Sequence, residues 1–179
     1  MADSDLNGLP LPQQLQHWAR VRPQATALRQ KEHGVWKPVS WADYAERSRW
    51  FGLGLRELGL TPGQALALLS ENRQEWVIAQ LGAAMVGAIT AGVYPTSPAR
   101  EIEYLLELSE APVIVCEDQE QLDKVLAVRE RLPRLQTLVV IDTRGLRRYD
   151  RTGLHDFDAV VELGRAAERR DPAGATAAT

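Results

Sequence analysis

Polar and apolar positions change period several times along the chain, and each change marks an element. Leu11, Leu15, Trp18 and Ala19 recur at helical spacing behind Pro10 and Pro12, and Pro23 disfavours the α conformation before it. A short opening helix ending near Arg22 is predicted. Ala25–Arg29 and Val35–Val39, parted by Lys-Glu-His-Gly, predict an antiparallel ribbon whose second strand Pro38 confines to an edge. Trp41, Tyr44, Ala45, Ser48, Phe51, Gly52, Leu55 and Leu58 share one helical arc of about 140°. Ser40 suits its N-cap and Gly59 its stop. Trp50 and Leu53 fall off that arc, so either a second layer packs on this helix or they face a partner.

After Thr61-Pro62-Gly63 the pattern becomes a regular alternation of continuous apolar strands and amphipathic helices. The strands are Ala65–Leu69, Ala88–Val93, Val113–Cys116 and Leu138–Ile141. Between them lie a helix over Asn72–Val86 and one from Ser97-Pro98 through Glu110, with Ile102, Leu105, Leu106 and Ser109 inward. Asp118 with Gln121 forms a capping box for a helix carrying Leu122, Val125, Leu126 and Leu132, and Phe157–Arg169 closes the series. Strands without polar alternation are covered on both faces, and right-handed crossovers then give an α/β fold. Its sheet is mostly parallel with helices on both faces, preceded by a helix and a small antiparallel ribbon.

Composition narrows the function classes. At 179 residues the chain has room for about one domain, and a net charge of -3 argues against a nucleic-acid partner. The basic segment from Arg144 to Arg151 is interleaved with acids and reads as a solvated loop. One cysteine, Cys116, forms no internal disulfide and suits the cytoplasm. The apolar run from Trp76 to Val93 is broken by Gln80, Thr90 and glycines, so no transmembrane segment is expected.

In such sheets ligands lie beyond the carboxyl ends of the strands. Two loops there are polar: Ser70-Glu71-Asn72-Arg73 and Tyr94-Pro95-Thr96-Ser97-Pro98. The second joins a Ser N-cap to a Pro at the first helical position, an arrangement that can hold an anion or can simply start a helix. Glu71 and Glu75 share a helix face, but Arg73 and Trp76 beside them favour a solvated helix entrance over an acid/base pair. Trp76, where that helix turns apolar, is expected as a buried ring. His17, His33 and His155 lack metal spacing, and phosphate-loop, dinucleotide and nucleophile-elbow motifs are missing. No catalytic residue and no metal ligand is assigned.

Seven segments nonetheless occur in a telling order: Ser40-Trp41-Ala-Asp-Tyr44, Leu58-Gly59-Leu60-Thr-Pro62-Gly63, Glu71-Asn72-Arg73-Gln-Glu75-Trp76, Gly87-Ala88, Gly92-Val93-Tyr94-Pro95-Thr96-Ser97, Glu103-Tyr104-Leu105-Leu106 and Glu117 to Lys124. The set, spanning about Leu9 to Gly164, resembles the opening of the AMP-forming acyl-CoA synthetases, in their long-chain fatty-acid–CoA ligase branch. The resemblance implies a two-step reaction in the complete enzyme. ATP and a fatty acid give an acyl-adenylate and pyrophosphate, and coenzyme A then takes the acyl group, with Mg as a further cofactor.

The family's phosphate loop, acyl pocket, nucleotide contacts and C-terminal lysine find no counterpart in these residues. The expectation is an N-terminal fragment of such a ligase, inactive and without a cofactor of its own, whose fatty acid and coenzyme A are bound through the remainder. Residues 1–8 are expected as a flexible N-terminus, 9–170 as a partial N-terminal α/β domain and 171–179 as a flexible end. Tyr94, Pro95, Thr96 and Ser97 are carried as substrate-binding or scaffold residues. Lys124 is carried as a point where a coenzyme A phosphate could approach, against the alternative of a solvated lysine. Self-association through uncovered apolar surface and a cytoplasmic location, peripheral at the membrane, complete the expectation. A non-catalytic α/β interaction module using Trp50 and Leu53 is the alternative, and a flavodoxin-like domain leaves the Trp-rich opening unexplained.

Overall fold

The order in which the chain visits its strands decides which loops meet at one end of the sheet. In the computed structural model, which describes residue 6 and residues 8–178, a parallel sheet runs β4–β3–β5–β6–β7. Its strands are β3 (Ala65–Leu69), β4 (Ile89–Val93), β5 (Val113–Cys116), β6 (Thr137–Val140) and β7 (Leu154–Asp156). From β3 the chain steps outward to β4 and then crosses back to β5 on the other side. Right-handed crossovers in opposite directions place their helices on opposite faces. Thus α3 (Gln74–Met85) lies on one face, and α4 (Ala99–Ser109) and α5 (Gln119–Leu126) on the other.

Side-chain alternation splits the core accordingly. Leu66, Leu68, Val113, Val115 and Val139 pack with α3, α2 (Trp41–Glu57) and α6 (Phe157–Arg170), while Ala67, Leu69, Ile114, Cys116, Leu138 and Val140 pack with α4 and α5. Ahead of the sheet come α1 (Leu11–Val21) and the ribbon of β1 (Thr26–Glu32) and β2 (Val35–Ser40). The ribbon turns through His33 and Gly34, both at positive φ, as a two-residue turn matched to strand twist requires. Ser40 caps α2 by accepting from the Asp43 amide at 3.1 Å, and Gly59 at φ 94° ends it. The α/β class, the opening helix and the ribbon all hold.

Helix α2 is held between α3 and α6 through glycines. A Cβ at Gly52 would stand 2.3 Å from the Gly82 carbonyl oxygen, and one at Gly54 would stand 2.1 Å from that of Val160. Of the two readings for Trp50 and Leu53, the second layer holds. The Trp50 indole donates to Glu168 at 2.7 Å under the Arg165 guanidinium, and Leu53 is buried. On the inward side Phe51 stacks on Phe157 with centroids 4.3 Å apart.

Ser48, fully buried at the α2–α3 crossing, has a hydroxyl without a hydrogen-bond partner. Burying that oxygen unpaired costs more than its few contacts return. Ser48→Ala should therefore raise stability by about 1 kcal/mol in urea unfolding. A loss of that size would show that the hydroxyl is partnered.

Several expectations change. Leu11 is exposed, since α1 buries Leu15 and His17 instead. Strand β4 is not covered on both faces: it is an edge, paired to β3 alone, with Ile89 62% exposed. Helix α5 ends at Leu126, so Leu132 is buried from beyond a 3-10 turn at Arg129–Arg131. The three-residue β7 carries no legible strand pattern. Beyond α6, Pro172–Ala178 form a further helix, α7, which Asp171 starts by accepting from the Gly174 amide at 2.9 Å, and Ala175 is buried. Most of the expected flexible N-terminus, 1–8, lies outside the described residues, although Leu6 is buried.

Candidate functional site

Strand order places a switch point between β3 and β5, and in sheets of this order the ligand crevice opens above it. Two loops form the crevice here: Ser70–Arg73 after β3 and Glu117-Asp118 after β5. Its centre is filled by a side chain of the chain itself. The Glu117 carboxylate accepts from the Glu71 amide at 2.7 Å and the Ser70 hydroxyl at 3.2 Å, and it lies 3.5 Å from the Arg73 guanidinium. Donors that elsewhere cradle a phosphate are thus satisfied internally by a carboxylate. Arg73 also donates to Glu75 at 2.6 Å. Burial opposes its charge, but Glu75, Glu117 and Asp142 outweigh that and hold the guanidinium's pKa above its ordinary value.

Glu75 is therefore buried and ion-paired, not part of the solvated helix entrance expected from sequence. Trp76 also differs from expectation. Its ring is half-buried and walls two neighbouring clefts, because the edge strand β4 beside it leaves Gly92 open rather than presenting a covered sheet. The larger cleft, about 1070 Å³, runs between β1 of the ribbon and the carboxyl end of the sheet. Gln30 of β1 ties its two walls together by accepting from the Gln74 amide at the start of α3, at 2.7 Å. Asp142, whose carboxyl Arg144 holds below the usual carboxylate range, and Asp118 lie on the same floor.

The smaller cleft, about 290 Å³, lies among Ser70, Glu71, Asn72, Trp76, Gly92, Val93, Tyr94 and Pro95. Here the structure brings together residues singled out in sequence. Tyr94 is 80% exposed, and the Ser97 amide donates back to its carbonyl at 2.9 Å, with the Ser97 side chain buried. Pro98, not Ser97, occupies the N-cap of α4, one position later than expected. Lys124 reaches this loop from α5: its ammonium donates to the Pro95 carbonyl at 2.7 Å and to Gln121 at 3.1 Å, and it pairs with Glu120 at 3.0 Å. Lys124 thereby ties α5 to the Tyr94–Ser97 loop.

Sequence reasoning missed Glu117 as the centre of the crevice. Its signal, a carboxylate directly after a buried strand, was present in the sequence. Cys116, just before it, is fully buried, and burial pushes its thiol well up, so it supplies no nucleophile.

The solved structures most like this chain include an anthranilate–CoA ligase in complex with anthranoyl-AMP. It is 28% identical with a TM-score of 0.75, the match covering 90% of this chain and 30% of that one. Acetoacetyl-CoA synthetase from Streptomyces lividans shares the fold at a TM-score of 0.75 and 24% identity, over 84% of this chain and 24% of its own. These neighbours define the architecture as that of an adenylate-forming ligase domain. The chain belongs to the AMP-binding enzyme family, whose model matches residues 15–176.

Among curated relatives, a long-chain-fatty-acid–CoA ligase of Xenopus laevis is 31% identical over 92% of this chain and 22% of its own length. One of Mycobacterium bovis is 32% identical over 80% of this chain and 22% of its own. The chain thus spans about a fifth of the length of these relatives.

Proposed function

We propose that these residues are the N-terminal part of an AMP-forming long-chain fatty-acid–CoA ligase, which joins a fatty acid to coenzyme A through an acyl-adenylate at the expense of ATP. One observation carries the reading: the family match over residues 15–176, together with relatives that are long-chain-fatty-acid–CoA ligases. In that enzyme this part supplies rigid walls. The Tyr94–Ser97 loop, braced by Lys124, and the crevice closed by Glu117 present fixed surfaces at the carboxyl end of the sheet. Stabilising the charge that develops on transferring phosphates takes convergent cations, backbone donors and Mg, and the donors of this crevice are already engaged. No helix among the described residues is long and apolar enough to cross a membrane. We place the protein in the cytoplasm, peripheral at a membrane. The interaction-module alternative loses its surface, because Trp50 and Leu53 are occupied by the α6 layer.

Pyrophosphate release from ATP, Mg, palmitate and coenzyme A measures the proposal. The 179-residue chain alone should release none. A chimera joining it to the remainder of the Mycobacterium bovis ligase should form palmitoyl-CoA, and a chimera that folds but stays inactive would overturn the reading.

A further inference from the structure

We infer that the open edge of β4 is a pairing surface for a second copy of this chain, the two β4 strands running antiparallel about a two-fold axis at Ala91. Among the described residues β4 pairs with β3 and with no other strand. The Ile89 amide donates to the Gln64 carbonyl at 2.9 Å, on the β3 side, so by strand alternation Ile89, Ala91 and Val93 turn their backbone groups inward. Thr90 and Gly92 turn theirs to the open edge. Native proteins blunt such an edge with a charge, a proline or a bulge, because a row of unpaired N–H and C=O groups templates another strand. Here none of these devices is present. The register with β3 is unbroken, no charged residue occurs from Trp76 to Ala99, and the nearest proline, Pro95, lies beyond the strand.

Symmetry and charge select the occupant. About a two-fold axis at Ala91, each Thr90 faces the Gly92 of the other copy, and such a pair exchanges both of its N–H···O bonds. Gly92 carries no side chain to hold the backbones apart, and Ile89, 62% exposed, comes to lie opposite the Val93 of the other copy. On a chain with a net charge of -3, two copies repel one another over much of their surface. Along this uncharged stretch they do not, and a partner recognised by charge finds nothing to hold. Because Gly92, Val93 and Tyr94 also line the smaller cleft, the second copy lies along that cleft's rim. A two-fold pair occupies both β4 edges, so this contact closes at the dimer. The inference stands on the backbone of β4 and not on the ligase reading, and association is measured without catalysis.

The test is sedimentation velocity of the 179-residue chain over a dilution series from about 1 mM to about 1 μM. The chain should pass from dimer to monomer on dilution, with no larger species. In the dimer the Thr90 and Gly92 amides should exchange more slowly than in the monomer, while those of Ile89 and Ala91, already on the β3 side, change little. Thr90→Lys sets like charges on both sides of the axis and should raise the dissociation constant about tenfold or more. Thr90→Pro removes an outward N–H that the β3 ladder does not use and should weaken the dimer as well. A chain that stays monomeric throughout, a dimer in which Thr90 and Gly92 exchange as fast as in the monomer, or a dimer that Thr90→Lys leaves as tight as the parent would each overturn the inference.

Discussion

Gly164→Ala should destabilise the domain by about 3 kcal/mol or more, the upper range for forcing a methyl group into a filled core. In an ordinary helix the same change is stabilising by roughly 0.5–1 kcal/mol, since alanine restricts the unfolded chain and favours helix. Here the sign reverses. A Cβ at Gly164 would lie 1.7 Å from the Trp50 carbonyl oxygen and 2.6 Å from the Gly54 nitrogen, both backbone atoms of α2. Neither can swing aside as a side chain would, so α2 and α6 must separate. That movement would also loosen the Phe51–Phe157 stack and the Trp50–Glu168 hydrogen bond. The urea midpoint should fall by about 1–2 M for a domain of this size. Gly59→Ala is the comparison: its added methyl meets open space, and only the positive φ of 94° resists it, at about 1 kcal/mol. Equal losses for the two variants would mean that α2 and α6 do not meet as closely as the structure places them.

Such contacts show where sequence reading stops. Amphipathic α2, α4 and α6, and the apolar strands β5 and β6, were legible because each buries a face at its own period. The glycines of α2 and α6 were not. Gly52 and Gly54 lie inside α2, and their role as a close helix contact depends on Gly82 and Val160, distant in sequence. Helix α7 was missed because Pro172–Ala178 is almost all alanine and glycine, without a strong apolar face. Its Asp171-Pro172 start is a capping signal that composition obscured. Strand β4 reads as buried because Ile, Ala and Val look alike at an edge and in a centre, and strand order, which no local pattern records, decides which it is.

At the site the same division holds. The Tyr94–Ser97 loop was visible through its prolines and hydroxyls, whereas its brace by Lys124 and the crevice closed by Glu117 required the fold. Glu117 and Ser70 are 47 positions apart and meet because β3 and β5 are neighbours.

Glu117→Ala should cost about 2 kcal/mol, because hydrogen bonds to a charged group are worth roughly 1.5–3 kcal/mol and this carboxylate is only partly shielded from water. Its side chain is 24% exposed, so water can replace some of what is lost, and the full penalty of a buried broken ion pair does not apply. What water does not restore is the geometry. The Glu71 amide loses its 2.7 Å acceptor, the Ser70 hydroxyl keeps only the Glu71 carbonyl, and Arg73 keeps Glu75 alone within salt-bridge distance. Glu117→Gln retains an oxygen for the Glu71 amide but gives up the charge facing Arg73, and it should lose about half as much. Hydrogen exchange separates a local from a global effect: the Glu71 amide should exchange much faster in Glu117→Ala, while amides of β5 and β6 follow the change in global stability. An unchanged urea midpoint with unchanged Glu71 exchange would show that the carboxylate does not hold the crevice. A loss equal in the Ala and Gln variants would show that the charge facing Arg73, rather than the acceptor for Glu71, is what joins the β3 and β5 loops.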